Sequence, residues 1–364
     1  MVFKNYKTFH YTLAGRPLVV ETGKLAGLAN GSCLVRYGET AVLCCATASE
    51  KPRDGIDFLP LSVDFDERMY AAGKIPGGYL RREGKPSEKA VLTSRVIDRP
   101  IRPLFPKDLR NDVALTLTVM SVDPDCSPEI TAMIGASIAL SISDIPWNGP
   151  ISGVFMGLVD GKPVVNPTEA QRKVSDLELT VASSSKKVVM IEAGANEVED
   201  DVMFDAIMVA HKENQGVLEF ISAIVDEIGK TKFEYPSCEL DHDMFDKIFD
   251  FCEKDVMVAL DTDDKTVRDA RMFPIKEAIL ANFSEEYPDL PTMMEELVYK
   301  IQKKIVRRWL LVDKKRVDGR RMDEIRPLGS EVGLLPRAHG SGLFTRGQTQ
   351  VLTVATLGTS PSDG

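Results

Sequence analysis

The chain has 364 residues, 43% of them hydrophobic and 27% charged, and a formal net charge of −10. This is a globular composition, long enough for two to three domains with a sizeable core. The acidic balance excludes a uniformly basic nucleic-acid coat, so a polyanion must be met by a local patch. No apolar run reaches the ~18 residues needed to span a bilayer, and no signal peptide is present, so no membrane role is expected.

Residues 10–65 read as strands. Leu18-Val19-Val20 and the run Ala41 to Ala46 are short apolar stretches bounded by turn residues, and Phe58 to Phe65 is another. Asp64 and Asp66 lie on one face of that last strand. They form a candidate carboxylate pair, but a solvated strand end is the favoured reading of them.

A glycine-bounded basic stretch follows. Between Tyr79 and Arg110 there are nine Lys/Arg and four Asp/Glu, a local charge of +5 inside an acidic chain. Gly77, Gly78 and Gly84 allow a loop whose backbone approaches a ligand closely. Ser87 is placed to cap a helix starting near Glu88, and Pro100 is expected to end it. Arg95 and Arg99 share a face of that helix. Asp98 is within a turn of both Arg95 and Arg102 and can orient their guanidinium groups. Planar guanidinium forks bind phosphate oxygens two at a time, which points to a phosphodiester ligand.

Val113 to Val122 alternates as a half-buried strand, and Ile130 to Ile142 is a small-residue apolar run suited to a buried helix. Ile151 to Val165 reads as a hairpin turning at Asp160-Gly161. Leu177 to Ala182 and Lys187 to Ile191 form a further strand pair, and Glu199 to Ile228 keeps helical spacing. From Asp241 to Leu311 the pattern is helical throughout, with Ile275 to Phe283 and Met293 to Leu310 as segments and Pro288 and Pro291 as breaks. Cys33, Cys44, Cys45, Cys126, Cys238 and Cys252 show no C-x-x-C spacing and read as reduced core thiols. His10, His211, His242 and His339 form no cluster, so no histidine-held metal is expected.

An internal repeat recasts this organisation. Residues 31–47 align without gaps to residues 340–356, with nine of the 17 positions identical. The chain therefore reads as a duplicated α+β domain with an all-helical insert. The second copy has barely begun at Gly364, so a longer protein is expected.

Four segments carry a family resemblance over essentially the whole chain. They are Gly84-Lys85-Pro86-Ser87-Glu88, the run Ile97 to Pro106, Met133-Ile134-Gly135-Ala136-Ser137, and Arg316-Val317-Asp318-Gly319-Arg320. Together they resemble the bacterial polynucleotide phosphorylases. The resemblance implies a first RNase PH-like β-α-β-α domain over 1–236, an all-α domain over 237–312, and the beginning of a second RNase PH-like domain over 313–364. It also implies 3′→5′ phosphorolytic degradation of mRNA to nucleoside diphosphates, reversible as polymerisation. With it come single-stranded RNA as substrate, inorganic phosphate as co-substrate and Mg²⁺ or Mn²⁺ as cofactor. A homotrimeric ring, RNA-degradation partners and a cytoplasmic location complete the expectation.

On this sequence the family's channel loop matches Tyr79-Leu80-Arg81-Arg82. Tyr79, Arg81 and Arg82 are thus the expected RNA-binding residues, and Leu80 cannot stack. Arg95, Arg99 and Arg102 match arginines of the phosphate and RNA path. Catalytic and metal-holding residues are expected past residue 364. In the first copy, Thr180 replaces the expected lysine after Asp176 and Glu178. Asp125-Cys126-Ser127-Pro128-Glu129 puts a proline and a carboxylate where phosphate would sit, and proline offers no N–H. Two further readings stay open: a non-catalytic RNA-binding or ring-scaffold fragment, and a single-domain RNase PH-like tRNA trimmer. The duplication and helical insert argue against the trimmer.

Overall fold

Period-two patterning dominates the first two-thirds of the chain, and it becomes two sheets. The structure, a computed structural model, describes residues 3, 5–53, 56, 58–237 and 239–358. It divides into one unit ending at residue 238 and another starting at Glu239.

In the first unit the strands are β1 (Lys7–Leu13), β2 (Arg16–Thr22), β3 (Gly31–Tyr37), β4 (Thr40–Pro52) and β5 (Leu61–Glu67). Helix α1 (Glu88–Ile101), β6 (Asn111–Ser121) and α2 (Pro128–Ile142) follow. Next come β7 (Ser152–Val159), β8 (Lys162–Val165), the single turn α3 (Glu169–Arg172), β9 (Leu177–Ser183), β10 (Val188–Ala195) and α4 (Asp200–Ile228). One sheet has the order β1-β2-β3-β4-β6-β5, antiparallel except for the parallel β5–β6 pair. The other has the order β10-β9-β7-β8 and is antiparallel throughout. The β7–β8 hairpin turns at Asp160 and Gly161, both at positive φ, as a two-residue loop requires.

Helix α2 is the centre of the unit. Every residue of it except Glu129 is buried. It is apolar all round because it packs on β3 and β4 of one sheet and on β7 of the other. Glycines set how close it can come. A Cβ on Gly31 of β3 would lie 2.1 Å from the Ala139 carbonyl oxygen, and one on Gly135 of α2 would lie 2.3 Å from Cys44 Sγ. A Cβ on Gly153 of β7 would meet Met133 Sδ at 2.3 Å. Ile130, Met133, Ile134, Ile138 and Leu140 are each at most 1% exposed. Burying such a side chain stabilises by about 1.5–3 kcal/mol.

The second unit holds α5 (His242–Leu260), α6 (Lys265–Phe283) and α7 (Leu290–Arg308), followed by a π turn at Trp309–Asp313. Ile248, Cys252, Val256, Leu297, Ile301 and Ile305 interlock between the helices. Strands β11 (Leu328–Val332), β12 (Gly340–Arg346) and β13 (Thr349–Ala355) form a three-stranded antiparallel sheet in that order. None of its residues is buried.

The structure corrects three boundaries. Helix α1 runs through Pro100 to Ile101 and tightens into a 3₁₀ turn over Arg102–Leu104. The proline falls in the last turn, where its missing N–H forfeits one bond and the ring leaves little helix to disrupt. The strand expected from Phe58 begins only at Leu61, after Pro60, and Phe58 is 58% exposed. Helix α6 starts ten residues earlier than Ile275, capped by the Asp264 carboxylate on the Thr266 and Val267 amides, and runs through an exposed Pro274. Pro291 sits in the first turn of α7, where proline is tolerated.

Cys33, Cys44, Cys126 and Cys252 are buried thiols and Cys45 is half-buried, whereas Cys238 lies outside the described residues. Burial pushes the Cys44 thiol well above its usual range and that of Cys252 to about 11, so neither is a ready nucleophile.

Gly135→Ala gains helix propensity but forces a methyl into Cys44 Sγ in a closed core. It is expected to destabilise the chain by about 1–3 kcal/mol in urea unfolding, and adding Cys44→Ala should recover part of that loss.

Candidate nucleic-acid interface

The basic stretch folds as a solvent-facing loop followed by α1. Ser87 caps the helix by accepting from the Ala90 amide, and Glu88 lies in the first turn, where the helix dipole favours an acid. The loop tip carries Tyr79, fully exposed, and Leu80, 70% exposed. Arg81 takes positive φ in a turn closed by its amide on the Gly78 carbonyl, and among the described residues its guanidinium reaches only the Pro76 carbonyl, at 3.2 Å. Arg82 is exposed beside it. An aromatic face and two arginines at the tip of an open loop can stack on a base and hold backbone phosphates without reading sequence.

A clasp at the loop's base went unnoticed in the sequence. Glu83 accepts from Arg68 Nη1 at 2.6 Å and from the Met69 amide at 2.8 Å, and Arg68 also pairs with Asp66 at 3.0 Å. The Arg68 guanidinium, then the Met69 N–H, hold the Glu83 carboxyl below its ordinary value. Fifteen residues separate the two partners, and no helical or strand spacing relates them. The only available signal was a carboxylate inside a basic run.

The three helix-borne arginines part ways. Arg95 lines a groove of about 560 Å³ between α1 and strands β5 and β6, with Asp64, Asp66, Asp98, Thr116 and Thr118 around it. Among the described residues Arg95 has no ion pair. Arg99 pairs with Glu192 of β10 at 2.5 Å, both side chains about half exposed. Arg102 is fully employed. Its Nε and Nη2 reach the two Asp98 oxygens at 2.9 and 2.8 Å, and its Nη1 and Nη2 donate to the Leu59 and Leu61 carbonyls at 3.3 and 3.0 Å. Asp98 therefore orients Arg102 but, among the described residues, makes no ion pair with Arg95, the other arginine it was expected to orient, and the Asp98–Arg102 pair ties the start of β5 to α1.

The two segments that depart from the catalytic pattern meet in a second cleft, of about 480 Å³, at the N-terminus of α2. Ser127, Pro128 and Glu129 line it together with Glu178 and Thr180 of β9, Lys89 of α1, and Arg172 of α3. The Glu129 carboxylate accepts from Ser127 Oγ at 2.7 Å and from Lys89 Nζ at 2.9 Å. Burial alone raises its pKa, but the Ser127 hydroxyl and the Lys89 ammonium outweigh it and hold the carboxyl below its ordinary value. Among the described residues, no three His, Cys, Asp or Glu side chains converge to hold a metal ion.

Comparison with known proteins gives this geometry a family. The chain matches the "3' exoribonuclease family, domain 1" over residues 14–146 and "domain 2" of the same family over 149–213. Residues 243–321 match the "Polyribonucleotide nucleotidyltransferase, RNA binding domain". The chain belongs to the polyribonucleotide nucleotidyltransferase family. It is 59% identical over 353 residues to the polyribonucleotide nucleotidyltransferase of Ruminiclostridium cellulolyticum, covering 97% of this chain and 50% of that protein. It is 57% identical to that of Lachnoclostridium phytofermentans and 52% identical to that of Caldicellulosiruptor saccharolyticus, again covering 97% of this chain. The chain spans about half the length of the curated relatives it matches. The RNase PH-like α+β reading and the family resemblance thus hold. No helix of the described residues is long and apolar enough to cross a membrane.

Arg102→Ala should destabilise the first unit by about 1.5–3 kcal/mol in urea unfolding, because it breaks hydrogen bonds to a charged group and frees β5. Arg99→Ala should cost under about 1 kcal/mol, the range of an exposed pair. The Glu83 clasp has a pH signature. A carboxyl held below its unfolded value contributes fully above about pH 4.5 and is lost as pH falls through its lowered folded value. The Met69 amide proton resonance should therefore titrate with a midpoint below 4.5, and Glu83→Gln should abolish that transition.

Proposed function

We propose that this chain is the RNA-guiding part of a phosphate-dependent 3′→5′ exoribonuclease of mRNA decay, which releases nucleoside diphosphates and runs in reverse as an RNA polymerase. The observation that carries the reading is the clasped loop presenting Tyr79, Arg81 and Arg82 to solvent. Residues 1–236 form a first RNase PH-like domain, 237–312 an all-helical domain and 313–364 the beginning of a second RNase PH-like domain.

Single-stranded RNA is gripped at the loop by phosphate contacts from Arg81 and Arg82 and by stacking on Tyr79. It then passes the arginines of α1. The Arg99–Glu192 pair is exposed, so it is worth at most about 1 kcal/mol and can yield to an incoming phosphate. Arg95 is free to do the same. Arg102 shares this path mainly by fixing the groove wall, since its donors already have acceptors.

The whole protein takes inorganic phosphate as co-substrate and Mg²⁺ or Mn²⁺ as cofactor, both at residues outside this chain. It works as a homotrimer in the cytoplasm and engages RNA-degradation partners. The chain on its own is a non-catalytic RNA-binding and ring-scaffold piece. What favours that reading is the first-copy cleft, where Pro128 offers no N–H and Glu129 opposes an incoming anion.

Arg81→Ala combined with Arg82→Ala in the whole protein should weaken binding of long RNA and flatten the slope of log K against log salt by roughly 1 to 1.5 units, at about 0.7 per phosphate contact. Very short RNA should be affected much less, whereas Arg99→Ala should slow turnover on short and long RNA alike. An unchanged salt slope, or equal losses on both lengths in the double variant, removes the loop as an RNA entrance. The chain alone, given poly(A), phosphate and Mg²⁺, should release no ADP. Sustained release that persists without residues 316–364 would place the chemistry in the first copy.

A further inference from the structure

The second half of α7 carries cations without acids. From Tyr299 to Val312 the chain has five lysines and arginines and no carboxylate. Folding sorts them. Lys300 pairs with Glu296 at 3.2 Å, Lys304 with Asp246 of α5 at 3.3 Å, and Arg308 with Glu253 of α5 at 3.1 Å. Glu295, the other acid of α7, is taken by Lys276 of α6 at 2.6 Å. Among the described residues Lys303 and Arg307 are left without an ion pair. Both are exposed, and so is Tyr299, at 60%. Positions 299, 303 and 307 stand four apart, so they follow one side of the helix in steps of about 6 Å. Leu297, Ile301 and Ile305, offset from them by two positions, fill the opposite, buried side.

We propose that Tyr299, Lys303 and Arg307 form a second contact for single-stranded RNA, in which the two cations take backbone phosphates and the Tyr299 ring stacks on a base. The inference rests on the RNA-guiding reading above and goes beyond it, because it puts a contact outside the loop, on named residues of the helical unit.

A solvated helix side is the ordinary use of lysine and arginine, and it usually mixes both signs at four-residue spacing. Here the neighbours of Lys303 at that spacing are Tyr299 and Arg307. Two like charges one turn apart weaken a helix, and a polyanion relieves that repulsion. The acids that pack beside them, Glu295, Glu296, Asp246 and Glu253, are each already paired, so they hold other cations rather than these two. Cations alone would suit any polyanion. The ring narrows the choice: Lys303 Nζ lies 5.6 Å from the Tyr299 ring centroid, so a charge for a phosphate and an aromatic surface for a base adjoin. Basic groups interleaved with an exposed aromatic are what a single strand needs from a surface that does not read sequence.

The test titrates a long fluorescent oligoadenylate into the native chain by anisotropy at several salt concentrations, with each variant first checked for native circular dichroism. Lys303→Gln combined with Arg307→Gln should flatten the slope of log K against log salt by roughly 1.4 units, two contacts at about 0.7 each. Tyr299→Ala should weaken binding at least about fivefold without changing the slope, and Tyr299→Phe should bind as the native chain does, because stacking uses only the ring. Lys304→Gln combined with Asp246→Asn removes a cation together with its acid and should leave the slope unchanged. Should Tyr299→Ala lose its fold, the glutamine pair at two exposed positions decides alone. An unchanged slope in that pair overturns the proposal, and so does equal flattening in the Lys304→Gln, Asp246→Asn control, because the effect is then diffuse. Native affinity in a folded Tyr299→Ala, or a Tyr299→Phe that loses as much as Tyr299→Ala, overturns it too. Binding to anionic phospholipid vesicles that disappears in the glutamine pair would make this a membrane-facing surface and overturn it, as would a native chain that binds no oligonucleotide. Arg81→Ala combined with Arg82→Ala is titrated in parallel. A loss confined to that variant removes the α7 contact and leaves the loop standing, and a loss confined to the α7 variants does the reverse.

Discussion

Close approach of one apolar helix to two sheets is the constraint on which the first unit depends. It requires the absence of side chains at Gly31, Gly135 and Gly153, where an added Cβ would fall within 2.3 Å of a neighbouring atom. With those contacts made, α2 buries almost its whole circumference, and β3, β4 and β7 are fixed relative to one another. Its only exit is the N-terminal turn. Ser127 caps it on the Ile130 amide, and Glu129 is directed outward at the same point. The packing that excludes water from the core thus delivers a capped helix end to the wall of a cleft.

The basic stretch shows how little net charge says about use. A local charge of +5 is a sound reason to expect an anion, but the side chains divide into three roles. Arg81 and Arg82 face water and donate little to the protein itself. Arg99 shares an exposed carboxylate that a phosphate can replace. Arg102 holds four acceptors, and releasing them would unfasten β5. Arginine suits all three tasks because its planar fork makes parallel bonds to a carboxylate as readily as to a phosphate.

Much of this was legible in the sequence where one period held without interruption. The alternation from Val113, the apolar run to Ile142, the Asp160-Gly161 turn and the long helix to Ile228 each appear where spacing places them. Proline was the least reliable guide. Pro100 and Pro274 both lie inside helices, because a proline near a helix end or on an exposed face costs one hydrogen bond that surrounding contacts offset. The candidate site was legible as composition and as family pattern, but not as pairing. Arg68 with Glu83, Arg99 with Glu192 and Lys89 with Glu129 join residues 15, 93 and 40 positions apart. Only the folded chain brings those partners within reach, and no local rule encodes them.

The duplicated hairpin separates local from tertiary information most cleanly. Residues 31–46 and 340–355 fold into the same strand–turn–strand, with Tyr37 paired to Thr40 and Arg346 to Thr349. Gly38 and Gly347 take φ of 55° and 61° at the turn. Register and turn are therefore properties of the segment itself, set by a glycine that tolerates the left-handed region. Burial is not. Val35 and Val42 are 0% exposed beneath α2, whereas their counterparts Phe344 and Val351 are 48% and 54% exposed. Full cover of a side chain of this size is worth about 1.5–3 kcal/mol. The first hairpin draws that stabilisation from its helix, and the second has the strand geometry without it. A sheet of three strands with no buried face has little core of its own. Its stability in isolation should then rest on backbone pairing alone, and an apolar cover over Phe344 and Val351 would change it more than any substitution within the strands.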